Sequence, residues 1–158
     1  MRFSPAASGA VARWTAGLVL LLLGVGLTGG RARAQGAPGY QVIVNAANPV
    51  TELARIDVSR WFLKQSTKWP DGKVVVPLDQ STRSEVRAAF TVGVHKQPLQ
   101  AIETYWQKQI FSGRTVPPFV KVGDAEVMAY VANNTSAIGY VAGNATLVSG
   151  VKAVKIKD

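Results

Sequence analysis

Ser81, Thr82, Arg83 and Ser84 set three hydroxyls and one guanidinium in four consecutive positions, a donor set that suits a phosphate-like or carboxylate group. Just downstream, Val86, Ala89 and Phe90 recur at the i, i+3, i+4 spacing of a helix face, so the run falls where a helix begins. Free backbone N–H groups and the positive end of the macrodipole meet there and add to the pull on an anion. The same residues also read without a ligand: Thr82 with Glu85 three positions on matches a capping box, and Ser and Thr are ordinary N-cap residues. What must position the turn lies upstream. Val74, Val75 and Val76 form the short apolar run of a parallel strand covered on both faces, and Pro77 is expected to end it.

Other residues with chemical potential are isolated. His95 is the only histidine. With no second histidine and no carboxylate pair beside it in sequence, it reads as a cation at a helix C-terminus rather than a metal ligand or catalytic base. The absence of cysteine excludes disulfides, thiolate metal sites and a cysteine nucleophile. Asp71 and Asp79 stand too far from other carboxylates for an acid/base pair and have turn roles. Arg114 reads as a solvated loop arginine, or as a second cation near Arg83 if its loop folds back. Tyr140 faces either a ligand cleft or the core. No nucleophile, base and orienting residue stand at recognisable spacing, so the chain is read as a non-enzyme that needs no cofactor and no metal.

The first 34 residues are expected to be a signal peptide. Arg2 and Arg13 precede an apolar run over residues 16–27, and Ala32-Arg33-Ala34 supplies a small-x-small cleavage pattern. The run is short for a membrane anchor, which needs about 20 apolar residues. A periplasmic or extracellular location follows. The leader holds four of the 18 basic residues and none of the nine acidic ones, which lowers the formal charge from +9 to +5. No Lys/Arg stripe with interleaved aromatics remains, so nucleic acid is not an expected partner.

Residues 35–39 read as a flexible lead-in and residues 40–158 as one domain. Residues 41–44 predict a first strand; Thr51 is placed to cap a helix that buries Ala54, Val58, Trp61 and Phe62. Trp69, Pro70, Asp71 and Gly72 make a turn, with Trp69 as a lid on the core. A helix follows over residues 98–111, then an irregular loop over residues 112–120. Asp124 is placed to cap a helix carrying Val127, Met128 and Val131, which Asn133 and Asn134 stop. Residues 137–141 predict a buried strand in which Gly139 marks a close approach. Residues 151–156 predict a last strand whose lysines, Lys152 and Lys155, with Lys157 just beyond, guard an edge. Strands separated by helices argue for an α/β fold, a mostly parallel sheet flanked by helices, with ligands beyond the carboxyl ends of strands.

Four motifs in order carry a resemblance: Val42-Ile43-Val44-Asn45 with Asn48-Pro49; Val58-Ser59-Arg60-Trp61-Phe62-Leu63-Lys64 with Trp69; Val76-Pro77-Leu78-Asp79; and Ala137-Ile138-Gly139-Tyr140-Val141. The series resembles the second lobe of the phosphate-binding subunits of bacterial phosphate ABC transporters. That resemblance implies one lobe of a type 2 periplasmic binding protein fold, with phosphate or a similar oxyanion as ligand. An ABC permease or another envelope protein would be the partner. Full members are about twice as long, so the chain corresponds to one lobe alone. The family's Arg falls about where Leu78 or Asp79 stands here, and Ser81-Thr82-Arg83-Ser84 replaces its Ser-Gly-Thr. Ser81 is the residue that carries over by motif; Asp79 would oppose a dianion unless it accepts a hydrogen bond from it. The alternative is a protein-interaction module that has lost anion binding and uses the exposed lobe face for a partner or for a homodimer.

Overall fold

The computed structural model describes residues 39–158; the expected leader and nearly all of the lead-in lie outside the described residues. Six strands, β1 (Tyr40–Asn45), β2 (Glu52–Ala54), β3 (Val76–Gln80), β4 (Phe119–Lys121), β5 (Ala137–Ala142) and β6 (Val151–Lys157), form one sheet in the order β2-β6-β1-β5-β3-β4. Helices α1 (Arg55–Phe62), α2 (Glu85–Phe90), α3 (Leu99–Phe111) and α4 (Asp124–Ala132) flank it, and α2 runs on into a π-helical turn, Thr91–His95. Strand β1 is antiparallel to both neighbours, β5 and β6. The remaining pairs, β2 with β6 and β3 with both β5 and β4, are parallel. Five strands therefore share one direction and β1 alone opposes it, which is the α/β, mostly parallel architecture expected.

Alternation along the central strands builds two cores. Val42 and Val44 of β1 and Ile138 and Tyr140 of β5 face α1 and α2, where they pack with Val58, Trp61, Phe62 and Phe90. Phe90 and Tyr140 stack with ring centroids 3.9 Å apart. Ile43 of β1, Leu78 of β3 and Ala137 and Val141 of β5 face α4 through Val127 and Val131. Gly139 makes the expected close approach: a Cβ there would sit 2.5 Å from Val127 Cγ1. Trp69 is the expected lid, buried beside Trp61 at 4.7 Å between centroids, with its indole N–H donating to the Ser136 carbonyl.

Several local expectations are corrected. Val74 is 59% exposed; β3 starts at Val76 and runs through Pro77 to Gln80. Proline is tolerated because its missing N–H falls on the β4 side, before the ladder with β4 opens at Leu78 and Phe119. Thr51 does not cap α1. Residues 52–54 are drawn into β2 beside β6, Ala54 becomes the N-cap without a side-chain bond, and Ala54 is exposed. The loop expected over residues 112–120 ends early, since Phe119 and Val120 belong to β4. Strand β6 is an inner strand, so its lysines guard no edge: Lys152 donates to the Asn48 carbonyl and Lys157 pairs with Glu52. The edge beside β3 is β4. It is protected by Pro118, which has no N–H to offer, and by Glu126, whose carboxylate accepts the Val122 N–H at 3.1 Å.

Candidate functional site

Strands β3 and β4 lie side by side and parallel, and each empties into a helix start. From β3 the chain passes through residues 81–84 into α2, and from β4 through Val122 and Gly123 into α4. An open cleft of about 560 Å³ lies between these turns, lined by Gln80, Ser81, Arg83, Ser84, Val122, Gly123 and Asp124. The first N–H groups of each helix lack intrahelical acceptors, and the positive dipole ends of α2 and α4 meet at this cleft.

The sequence-predicted residues divide according to what already holds them. Ser81 joins the two turns through its N–H, which donates to the Lys121 carbonyl at 3.0 Å; its Oγ accepts from the Arg83 N–H at 3.4 Å, leaving the hydroxyl proton free. Thr82 and Arg83 are exposed, and the Arg83 guanidinium is the cation of the cleft. Ser84 is the N-cap of α2. Its Oγ accepts from the Arg87 N–H at 3.2 Å and donates to Gln80 Oε1 at 2.7 Å. The capping box expected of Thr82 and Glu85 is therefore replaced by a cap two residues later.

Gln80, a residue the sequence reading passed over, organises the floor. It is 1% exposed, and its Nε2 donates to Asp124 Oδ1 at 2.8 Å and to the Tyr140 carbonyl at 3.0 Å. Asp124 is likewise not an N-cap, that position being Gly123; its Oδ2 accepts the Ala142 N–H at 3.1 Å. One amide and one carboxylate thus tie the ends of β3 and β5 to the starts of α2 and α4. The only hint in the chain is a polar residue closing an apolar strand four positions before a serine.

Asp79 is not brought to this cleft. It is buried, Oδ1 accepts the Tyr140 hydroxyl and the Gln80 N–H, and Oδ2 pairs with Arg87 Nη2 at 3.0 Å. Arg87 Nη1 in turn donates to the Gln80 carbonyl at 2.7 Å. Burial pushes the Asp79 pKa up, opposed by the Arg87 charge and the Tyr140 hydrogen bond. Tyr140, read as facing either a ligand cleft or the core, lies in the core; burial and the Asp79 charge hold its phenol protonated. Arg114 is exposed and does not line the cleft with Arg83.

His95 is not a helix-end cation. Its Nδ1 lies 2.8 Å from Ser59 Oγ, and burial, aided by the Arg87 charge, pushes its pKa down to about 4. The Ser59–His95 contact pairs a hydroxyl with an imidazole, but the charge acting on that ring is a guanidinium rather than a carboxylate, the opposite of what stabilises an imidazolium during base catalysis. Among the described residues no group of three or more His, Cys, Asp or Glu is placed to hold a metal ion.

No protein-family model matches the sequence, and no curated protein matches it. Solved structures do match. A phosphate transport receptor of the ABC type from Vibrio cholerae superposes with a TM-score of 0.59 at 20% identity, over 75% of this chain and 46% of that one. The chain has the fold of a phosphate-receptor lobe. A putative phosphate ABC transporter substrate-binding protein from Clostridium perfringens, with phosphate bound, superposes equally well, at 0.59 and 21% identity over 75% and 45% of the two chains. A possible phosphate-binding protein from Planctomyces limnophilus reaches 0.56 at 20% identity over 77% and 42%. The lobe spans a little under half the length of these structures, and the likeness is one of fold.

Proposed function

We propose that this chain is an exported, non-enzymatic solute-binding domain that takes phosphate or a related oxyanion in the cleft between the starts of α2 and α4. The observation that carries the reading is the placement of the Arg83 guanidinium and the free Ser81 hydroxyl at the ends of two parallel strands, against two helix N-termini. Thr82, between them in the turn, is exposed and adds a further hydroxyl. Ser84 acts by holding the turn, and Asp79 acts beneath it, through Arg87 and the Gln80 carbonyl, rather than touching the anion. That the similar solved structures are a phosphate transport receptor of the ABC type and a putative substrate-binding protein with bound phosphate supports this ligand, and an ABC permease or another envelope protein as partner. Calorimetry with inorganic phosphate tests it. Each charge-assisted hydrogen bond contributes about 1.5 to 3 kcal/mol, so Arg83→Ala with Ser81→Ala should weaken binding by at least tenfold. No phosphate heat for the unsubstituted protein would end the reading.

A second reading, an interaction module, is favoured by the exposed apolar side chains of Phe111, Val116, Phe119 and Val122, at 88%, 68%, 67% and 78%. Because the β4 edge is guarded, such a partner would pack on side chains rather than add a strand. Gel filtration with light scattering separates the two: a monomer that binds phosphate supports the first, and an anion-blind dimer the second.

A further inference from the structure

The stretch from Thr104 to Gly123 joins exposed apolar side chains to cations that the protein does not neutralise. It holds Lys108, Arg114 and Lys121 and no carboxylate. Lys108 and Arg114 are exposed and take part in none of the ion pairs among the described residues. Beside them the apolar side chains run together. Ile110, Pro117 and Val120 line one groove, which ties the end of α3 to the β4 edge, and Phe111, Val116 and Phe119 are their immediate chain neighbours. The turn between helix and strand stands clear of the body. Ser112, Gly113 and Arg114 are exposed, and a Cβ on Gly113 would meet nothing within 4 Å among the described residues. The carboxylates that flank the stretch are set back or engaged. Glu103 lies two turns before Ile110, about 10 Å along the helix; Asp124 is held by Gln80 and the Ala142 N–H, and Glu126 by the Val122 N–H.

Charge decides among the occupants of such a surface. A second copy would bring Lys108 and Arg114 against their own counterparts across a two-fold axis, which like charge opposes. An anionic lipid surface meets both parts at once: apolar tips enter the interface, while the cations, on long apolar stems, stay at the level of the headgroup phosphates. The geometry points to the end of α3, the turn that follows and β4 as a docking surface for an anionic membrane, with Phe111, Val116 and Phe119 inserted and Lys108 and Arg114 on the phosphates. The inference rests on the exposed face of the second reading above, not on any loss of anion binding, and it holds whether or not the cleft takes phosphate.

Residues 34–158 form a compact unit that holds both cores, so the test uses residues 35–158, free of the apolar run over residues 16–27 that would enter lipid by itself. Vesicles of equal parts phosphatidylcholine and phosphatidylglycerol should carry the protein down on centrifugation. Vesicles of phosphatidylcholine alone should bind at least tenfold more weakly, since each Lys or Arg at an anionic surface strengthens binding about fivefold. Phe111→Ser with Phe119→Ser alters only exposed side chains, so it should leave the circular dichroism unchanged and weaken binding at least tenfold; Lys108→Glu with Arg114→Glu should do the same. Phe111→Trp should give an emission that moves to the blue on the mixed vesicles, a shift absent from the unsubstituted protein, whose Trp61, Trp69 and Trp106 are already buried. Inorganic phosphate, against chloride at equal ionic strength, should release none of the bound protein. Release by phosphate would put the headgroup in the oxyanion cleft and overturn the inference. So would failure to sediment with the mixed vesicles, binding that the double serine variant retains, an unshifted Phe111→Trp emission, or a dimer by light scattering that the double serine variant abolishes.

Discussion

His95 offers a pH test whose sign follows from its surroundings. The imidazole is held neutral by burial and by the Arg87 charge, with a folded pKa of about 4 against an ordinary 6.5. Between these values the unfolded chain binds a proton that the folded chain refuses, so acidification favours unfolding. Stability from this residue is complete above pH 6.5, falls as the pH drops, and levels off below about 4. At 1.36 kcal/mol per pKa unit the loss is about 3 kcal/mol, a large share of the 5 to 15 kcal/mol that holds a domain folded. Urea melts at intervals from pH 7.5 to 4.5 on the unsubstituted protein and on His95→Gln would isolate it, since carboxylate titrations are common to both. The difference between the two should shrink, and can reverse, as the pH falls. Because this is the only histidine, one imidazole proton resonance reports its titration directly. A midpoint near 6.5, or parallel pH profiles for the two proteins, would refute the reasoning.

Arg87→Met removes the cation from the buried Asp79 carboxylate and should cost about 3 to 5 kcal/mol at neutral pH by chemical denaturation. The loss should shrink as the pH falls and Asp79 protonates, and Asp79→Asn in the same chain should recover part of it. Tyr140→Phe deletes a donor to the same carboxylate and should cost about 1.5 to 3 kcal/mol. Gly139→Ala drives a methyl to 2.5 Å from Val127 Cγ1 and should lower stability by about 1 to 3 kcal/mol in thermal melts, with Val127→Ala restoring part of the loss.

The central strands were legible because their residues are buried on both faces: Val42, Ile43 and Val44, and residues 137–141, are continuous apolar runs. Helix α3 was legible from Pro98 and its apolar spacing. Strands β2 and β4 were not. Each is three residues long and mostly exposed, so they exist by pairing with β6 and β3 rather than by any pattern of their own. The valine run misled by one element: Val75 is buried as a side chain, but Val74 faces solvent and the ladder begins beyond it. Ser81, Arg83 and Ser84, singled out by residue type and spacing alone, line the open cleft at the starts of α2 and α4. The roles of Gln80, Asp124 and Tyr140 were not, because each depends on partners 44 to 61 residues away in the chain. His95 was misread for the same reason, since Ser59 lies 36 residues upstream.

Amide-resolved NMR during a titration with inorganic phosphate tests the oxyanion cleft most directly. The account predicts saturable shifts confined to Ser81, Thr82, Arg83, the first amides of α2 and those of Gly123, Asp124 and Ala125, largely lost in Arg83→Ala with Ser81→Ala. Shifts absent from these amides at saturating phosphate, or undiminished in that double variant, would contradict it.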